Sequence, residues 1–409
     1  MNILLIGYLF PPVVNPQSIL NGRFAKYLQM AGHKVTVLAA SNTEVLNSSH
    51  GVDPLLNRDL REVKICYVTD RIKKGCITDV MKRLINHEGS RYWVDRCIRE
   101  ILPACEGGQF NVIYSLAFPM ASNILGMYLK RKTGIPWVAH FSDPGFLAFN
   151  RRFKSPIRTY LTRSKEMNIF RFADGITFVN QETLVRNTAF KPAYREKCMV
   201  IPHMFDPDCF RDKQDDRVDK ETLRLSYVGS LYGKRNPFNA ILSLQRAIAS
   251  MEQSTRNVEF HLYGSIDSAI QKQLDEKWVF PWLKLHGPIG YGASIQAMLD
   301  SDYLILLDWS GEDNLFFPSK LVDYLAACRS IIGITSLKSY SARLLTNLEY
   351  PLFDFDDVDG LTRLFCSLLS GTRLEIASRH SILLGDFRAD RVTEQLAQFL
   401  ASKSKLQAV

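Results

Sequence analysis

Tyr227-Val228-Gly229-Ser230-Leu231-Tyr232-Gly233-Lys234-Arg235-Asn236-Pro237 joins a buried strand to a helix. Arg224–Val228 reads as the strand, Gly229-Ser230 as the turn, and Pro237 suits a helix start. Glycine lets a ligand come close to the backbone, and the free N–H groups of a helix start favour an anion. Arg235 adds a planar fork that can grip two phosphate oxygens, with Lys234 beside it. The loop therefore reads as a diphosphate cradle made by Gly229, Ser230, Lys234 and Arg235.

The same strand-then-helix alternation runs outward in both directions. Upstream, Asn2–Gly7, Lys34–Ala39, Asn111–Ser115, Ile135–His140, Gly175–Val179 and Met199–Ile201 read as strands. Helices lie between them, the first capped by Ser18 and ended by Gly32. Downstream, strands fall at Val258–Tyr263, Leu283–His286, Tyr303–Leu307 and Ile331–Ile334. Strands that are apolar throughout, alternating with helices, imply parallel sheets covered on both faces. The fold class expected is α/β, with two doubly wound, Rossmann-like domains facing a cleft. The first spans 1–205 and is rejoined by a C-terminal helix in 386–409; the second spans 206–385. The stretch Pro202–Asp219, with two prolines and an acidic run, reads as the hinge. Residues 41–110 are less regular, with Arg83, Arg91, Arg96 and Arg99 mixed among apolar side chains on an expected helical surface.

A chain of 409 residues suits two domains of about 200 residues each. No apolar run approaches the ~20 residues that span a bilayer, and no signal peptide is expected. The eight cysteines form no CxxC pair, which supports neither a zinc site nor a disulfide framework. The net charge of +9 is unevenly spread. Residues 1–210 hold 28 Lys/Arg against 17 Asp/Glu, and the remainder 23 against 25. A basic first half suggests a membrane surface, nucleic acid or a phosphate-bearing substrate as its partner. RNA-binding signatures are absent, so nucleic acid is not expected.

Doubly wound sheets bind ligands beyond the carboxyl ends of their strands. The first such loop, Gly7-Tyr8-Leu9-Phe10-Pro11-Pro12, is stiff and lacks GxGxxG, which weakens a nicotinamide reading. His140 and Asp143 emerge together from one strand, as a general base or a hydroxyl-binding pair. In Phe317-Pro318-Ser319-Lys320-Leu321-Val322-Asp323, Pro318 reads as the first helical residue, with Ser319 and Lys320 in the first turn. A lysine there opposes the helix dipole, a cost that makes sense if Lys320 pairs with a bound anion. Asp323 follows on the same face, within reach of ribose hydroxyls. Tyr263-Gly264-Ser265 and His286-Gly287-Pro288-Ile289 can shape a base pocket. The acidic cluster Asp354, Asp356 and Asp357 reads as helix capping, and no metal is expected.

These loops, in this order, resemble the GT-B glycosyltransferases of glycosyltransferase family 4 over nearly the whole chain. Ile3–Pro12, Gly32–Val37 and Val200–Asp206 resemble the family's opening and hinge. The cradle above and Pro318–Ala326 are the most specific matches. The resemblance implies a nucleotide-sugar donor in the C-terminal domain, an acceptor in the N-terminal domain, and transfer with retention and without an obligatory metal. It implies that Arg235 and Lys320 hold the diphosphate and stabilise its departure, and that Asp323 stands where a Glu usually binds ribose. Gly229, Ser230, Lys234, Gly264, Pro288, Ile289 and Ser319 complete the expected donor site. The acceptor is expected at Phe10, Pro11, Gln17 and His140, with His140 and Asp143 orienting or deprotonating its hydroxyl. The family's second Glu falls on Leu315, with Glu312 or Asp313 as substitutes. No cofactor is implied beyond the donor substrate. The expected protein is a cytoplasmic hexosyltransferase of cell-surface polysaccharide biosynthesis, peripheral on the inner membrane face, with a glycan or lipid-diphosphate-linked acceptor. A basic run from Lys130 to Lys165, interleaved with aromatics, is the expected membrane patch. A 2-epimerase of the same fold and a non-catalytic nucleotide-sugar binder are the alternatives.

Overall fold

Ile3, Leu4, Leu5 and Ile6 are all fully buried in β1 (Asn2–Gly7), so this strand has no solvent face. Ile3 and Leu5 enter one hydrophobic cluster, Leu4 and Ile6 another on the opposite side of the sheet. The computed structural model describes residues 1–41, 52–70, 91–146, 155–211, 221–251, 256–308, 314–376 and 380–404. The chain divides into two compact units, Met1–Met204 with Ala389–Val409, and Phe205–Arg388.

In the first unit β1 pairs in parallel with both β2 (Lys34–Ala40) and β4 (Val112–Ala117). With β3 (Lys64–Val68), β5 (Trp137–Phe141), β6 (Gly175–Phe178) and β7 (Cys198–Val200) they form a seven-stranded sheet ordered β3-β2-β1-β4-β5-β6-β7. Strand order reverses between β1 and β4, which opens a crevice at their carboxyl ends. The second unit repeats the plan in six strands, β8 (Leu223–Val228), β9 (Val258–Tyr263), β10 (Leu283–Gly287), β11 (Tyr303–Leu307), β12 (Ser330–Ile334) and β13 (Leu352–Phe353). Their order is β10-β9-β8-β11-β12-β13, all parallel, and the reversal falls between β8 and β11. Two parallel-sheet α/β units are thus what the strand periodicity implied.

Two details correct the sequence reading. Helix Pro16–Met30 is capped by Asn15, whose side chain accepts from the Gln17 N–H, while Ser18 lies inside it and is buried. Proline at the first helical position fixes φ and lacks a donor, so it moves the start ahead of Ser18. β3 lies inside the stretch read as irregular. Its side chains are mostly half-buried or exposed, as on an edge strand, so it lacks the apolar run by which the others are read. Among the described residues, no helix is long and apolar enough to cross a membrane.

The final helix, Ala389–Lys403, belongs to the first unit although the second unit precedes it in the chain. Val392, Leu396 and Leu400 repeat at helical spacing and are fully buried in the cluster of Ile3 and Leu5. Leu396→Ala removes a buried side chain at the middle of this seam. It should cost the first unit about 2–5 kcal/mol, read as a lowered midpoint in denaturant unfolding; an unchanged midpoint contradicts the packing described.

Candidate functional site

The reversal in the second unit puts the end of β8 beside the end of β11. Gly229 follows β8 and adopts φ +148°, and Gly264 follows β9 with φ +125°. A Cβ on Gly264 would lie 2.3 Å from the Gly229 carbonyl oxygen, so the two loops can meet only without side chains. A Cβ on Gly229 would lie 2.7 Å from Lys320 Nζ, which occupies the space that glycine leaves.

Lys320 opens a seven-residue helix, Lys320–Ala326, with Ser319 at its cap position and Pro318 before it. Pro318 is therefore not the first helical residue, and Ser319 makes no side-chain cap bond. The Lys320 ammonium lies 3.6 Å from the centre of the Tyr227 ring, a close cation–π contact. Tyr227 is fully buried and fixed by its hydroxyl, which donates to the Ser230 carbonyl at 2.8 Å. Lys320 Nζ is buried and has no hydrogen-bond partner among the described residues. Burial holds its pKa well below the ordinary lysine value, the nearby Arg235 charge lowers it further, and Asp308 opposes both.

Arg235 reaches the same place from the β8 loop. Its Nη2 donates to Asp308 Oδ1 at 3.2 Å, its Nη1 to the Tyr232 hydroxyl at 3.2 Å, and its Nε is buried without a partner among the described residues. Asp308 directly follows β11 and is fully buried; Asn314 Nδ2 and Ser341 Oγ donate to its Oδ2 at 3.1 and 3.0 Å. The sequence reading ended at Leu307 and missed Asp308, although a carboxylate ending a five-residue apolar strand was a visible signal.

The other expected donor residues are distributed unevenly. Ser230 accepts from Ser265 Oγ at 3.0 Å, which ties the β8 and β9 loops together. Asp323 is buried and accepts from the Tyr291 hydroxyl at 3.4 Å. Lys234 is exposed. Pro288 and Ile289 follow β10, whose last residue Gly287 accepts from the Gly264 N–H at 2.8 Å. Glu312 and Asp313 lie outside the described residues. Among the described residues no group of three or more His, Cys, Asp or Glu is arranged to hold a metal. In the acidic cluster, Asp357 caps helix Val358–Leu369 by accepting from the Gly360 N–H at 2.8 Å.

In the first unit the expected acceptor residues separate into two groups. Gln17 Oε1 accepts from Ser142 Oγ at 2.6 Å just beyond β5, and Asp143, the next residue in the chain, is half-buried. Phe10 and Pro11 are buried, and Phe10 belongs to the cluster of Ile3 and Leu5. His140 corrects the sequence reading most clearly. Its ring is fully buried, 5.6 Å from the Phe24 ring centre, with Nδ1 2.9 Å from Thr177 Oγ1. A strand alternates its side chains, and His140 falls on the inward face of β5 rather than in the loop after it. Burial, with His203 nearby, pushes its pKa down to about 3, so it is a neutral core imidazole.

No family model matches the chain, and no curated protein is similar to it in sequence. Solved structures are similar in fold. HepE from Anabaena, solved with UDP and with UDP-glucose, is 14% identical with a TM-score of 0.67, over 98% of this chain and 100% of that one. WaaG, a glycosyltransferase involved in lipopolysaccharide biosynthesis, is 13% identical with a TM-score of 0.63, over 97% and 99%. A UDP-N-acetylglucosamine 2-epimerase assignment from Listeria monocytogenes is 10% identical with a TM-score of 0.61, over 97% and 95%. The fold is GT-B. Its structural neighbours include glycosyltransferases, and the switch point of the second unit is where the cationic pocket lies.

The state of His140 has a pH signature. Its folded pKa lies below the free value of 6.5, so the unfolded chain takes up the proton first as pH falls. Stability present above pH 6.5 is then lost toward pH 3, at ~1.4 kcal/mol per pH unit. Between pH 6.5 and pH 5 the wild type should lose about 2 kcal/mol more than His140→Gln in denaturant unfolding. Parallel losses in the two proteins would contradict a buried neutral imidazole.

Proposed function

We propose that this chain is a retaining, metal-independent glycosyltransferase related to family 4. It moves a hexosyl group from a nucleotide-diphosphate sugar to a glycan or lipid-linked acceptor in cell-surface polysaccharide biosynthesis. The observation that carries the reading is Lys320 Nζ, buried beside Gly229 with no acceptor among the described residues, next to the Arg235 guanidinium. A buried cation without its anion is costly, and a diphosphate supplies the missing partner. Gly229, Ser230 and Gly264 let its oxygens approach the backbone, Asp323 faces ribose, and Ser319 and Lys234 flank the site. As the glycosidic bond breaks, negative charge grows on the departing diphosphate. Arg235 and Lys320 are already in place to stabilise it, so the lowering of the barrier needs no reorganisation.

In this reading the second unit takes the donor and the first unit the acceptor, with Gln17 and Asp143 as the polar groups that meet the acceptor hydroxyl. Membrane contact belongs to helix Pro156–Phe172, which exposes Ile157 and Tyr160, each 71% exposed, and Met167 between the exposed Arg163 and Arg171. Apolar side chains flanked by cations suit an anionic lipid surface on the cytoplasmic side. Phe149, Arg151, Arg152, Phe153 and Lys154 of the expected patch lie outside the described residues. The 2-epimerase among the fold neighbours supports a second reading, in which donor alone yields free epimerised sugar. Incubation with donor, with and without acceptor, separates the two.

A thermal-shift screen with UDP, GDP, ADP and dTDP should raise the melting temperature with at least one of them, because ligands that bind the native state stabilise it by mass action. Lys320→Ala should keep the fold and lower turnover of that nucleotide's sugar by about 100–1,000-fold, as for loss of one preorganised donor. Turnover at the wild-type rate would reject the diphosphate site. For the membrane contact, Ile157→Asp with Tyr160→Asp should release the protein from phosphatidylglycerol vesicles in a flotation assay without changing its melting temperature. Equal flotation would move the contact elsewhere.

A further inference from the structure

Arg235 is not idle while the site awaits an anion, because Asp308 holds one arm of it. Resting on the diphosphate reading above, we propose that Asp308 is a positioning residue and an internal rival. It aims the Arg235 guanidinium and competes with the diphosphate for it, so that the spent nucleotide is let go.

The division of the Asp308 carboxylate supports this. Oδ2 accepts from two neutral donors, Asn314 Nδ2 at 3.1 Å and Ser341 Oγ at 3.0 Å. These bonds fix the carboxylate without neutralising it, and they do not depend on Arg235. Oδ1 is the oxygen that faces Nη2, at 3.2 Å. A tight Arg–carboxylate pair is bidentate and shorter, about 2.7–2.9 Å. Here the second amino group is turned to the Tyr232 hydroxyl, and Nε has no partner among the described residues. The fork is therefore steered by Asp308 but not consumed by it.

With an anion present to favour its charged form, Lys320 joins Arg235 against the one carboxylate that approaches Arg235 among the described residues. The pocket then carries an excess charge for an incoming dianion, but less than it would without Asp308. Diphosphate binding exchanges part of the Arg235–Asp308 contact for an Arg235–phosphate contact, and diphosphate release reverses the exchange. Asp308 stays satisfied in both states because Asn314 and Ser341 remain.

The test is isothermal titration of UDP, GDP, ADP and dTDP into wild type, Asp308→Asn and Asp308→Ala. Asn keeps an acceptor of the same shape and removes the charge. If Asp308 is a rival, Asp308→Asn binds the preferred diphosphate more tightly, by about tenfold, which is ~1.4 kcal/mol. Asp308→Ala, which loses the steering as well, gains less. Asp308→Ser is the uncharged replacement to use if Asn does not fold. A purely structural role predicts equal or weaker binding in every variant, and that result overturns the proposal while leaving the diphosphate site standing. Absence of binding of all four diphosphates to the wild type overturns the proposal together with the reading on which it rests.

Discussion

Two half-buried cationic side chains at the end of one sheet, with one carboxylate facing them among the described residues, set the terms for the second unit. Burying charge is tolerable only when partners compensate it. Asp308 compensates Arg235 in part, and the Tyr227 face compensates Lys320 in part. Lys320 Nζ and Arg235 Nε keep no hydrogen-bond partner among the described residues. Two glycines make the arrangement possible, one to admit the lysine and the other to let the loops touch. The chemistry thus follows from where side chains are absent as much as from where they are present.

The sheet explains why these groups converge. β8 and β11 are 78 residues apart at their paired positions, Leu225 with Tyr303 and Ser226 with Leu304, yet they are neighbours because the strand order reverses between them. Helices cover opposite faces on either side of the reversal, and the carboxyl ends lie open there. Gly229 and Asp308 are the residues next to those ends. The first unit has the same reversal, but the loop after β1 is filled by Phe10 and Pro11, which pack inward. One topology therefore gives a cationic pocket in one unit and a neutral, apolar-walled loop in the other.

Legibility in the sequence followed burial. Buried strands announce themselves as apolar runs, and β1 and β11 were placed to the residue. The edge strand β3 was missed because its side chains form no continuous apolar run. In the site, Arg235 and Lys320 were visible because a cation near a helix start is a local anomaly. Asp308 stood in plain sight at the end of β11, but its meaning depends on a partner 73 residues away. His140 misled for a related reason: one position along a strand separates a core side chain from a loop side chain, and spacing alone does not say on which side of the strand end it falls.

The path of the chain has a consequence of its own. Phe205 and Arg388, the first and last residues of the second unit, bridge each other, and the Phe205 N–H donates to the Phe387 carbonyl at 2.9 Å. The second unit is therefore inserted into the first as a cassette whose two ends are already fastened together. Because those ends meet, change within the inserted unit leaves the first unit's final helix seated in its own core.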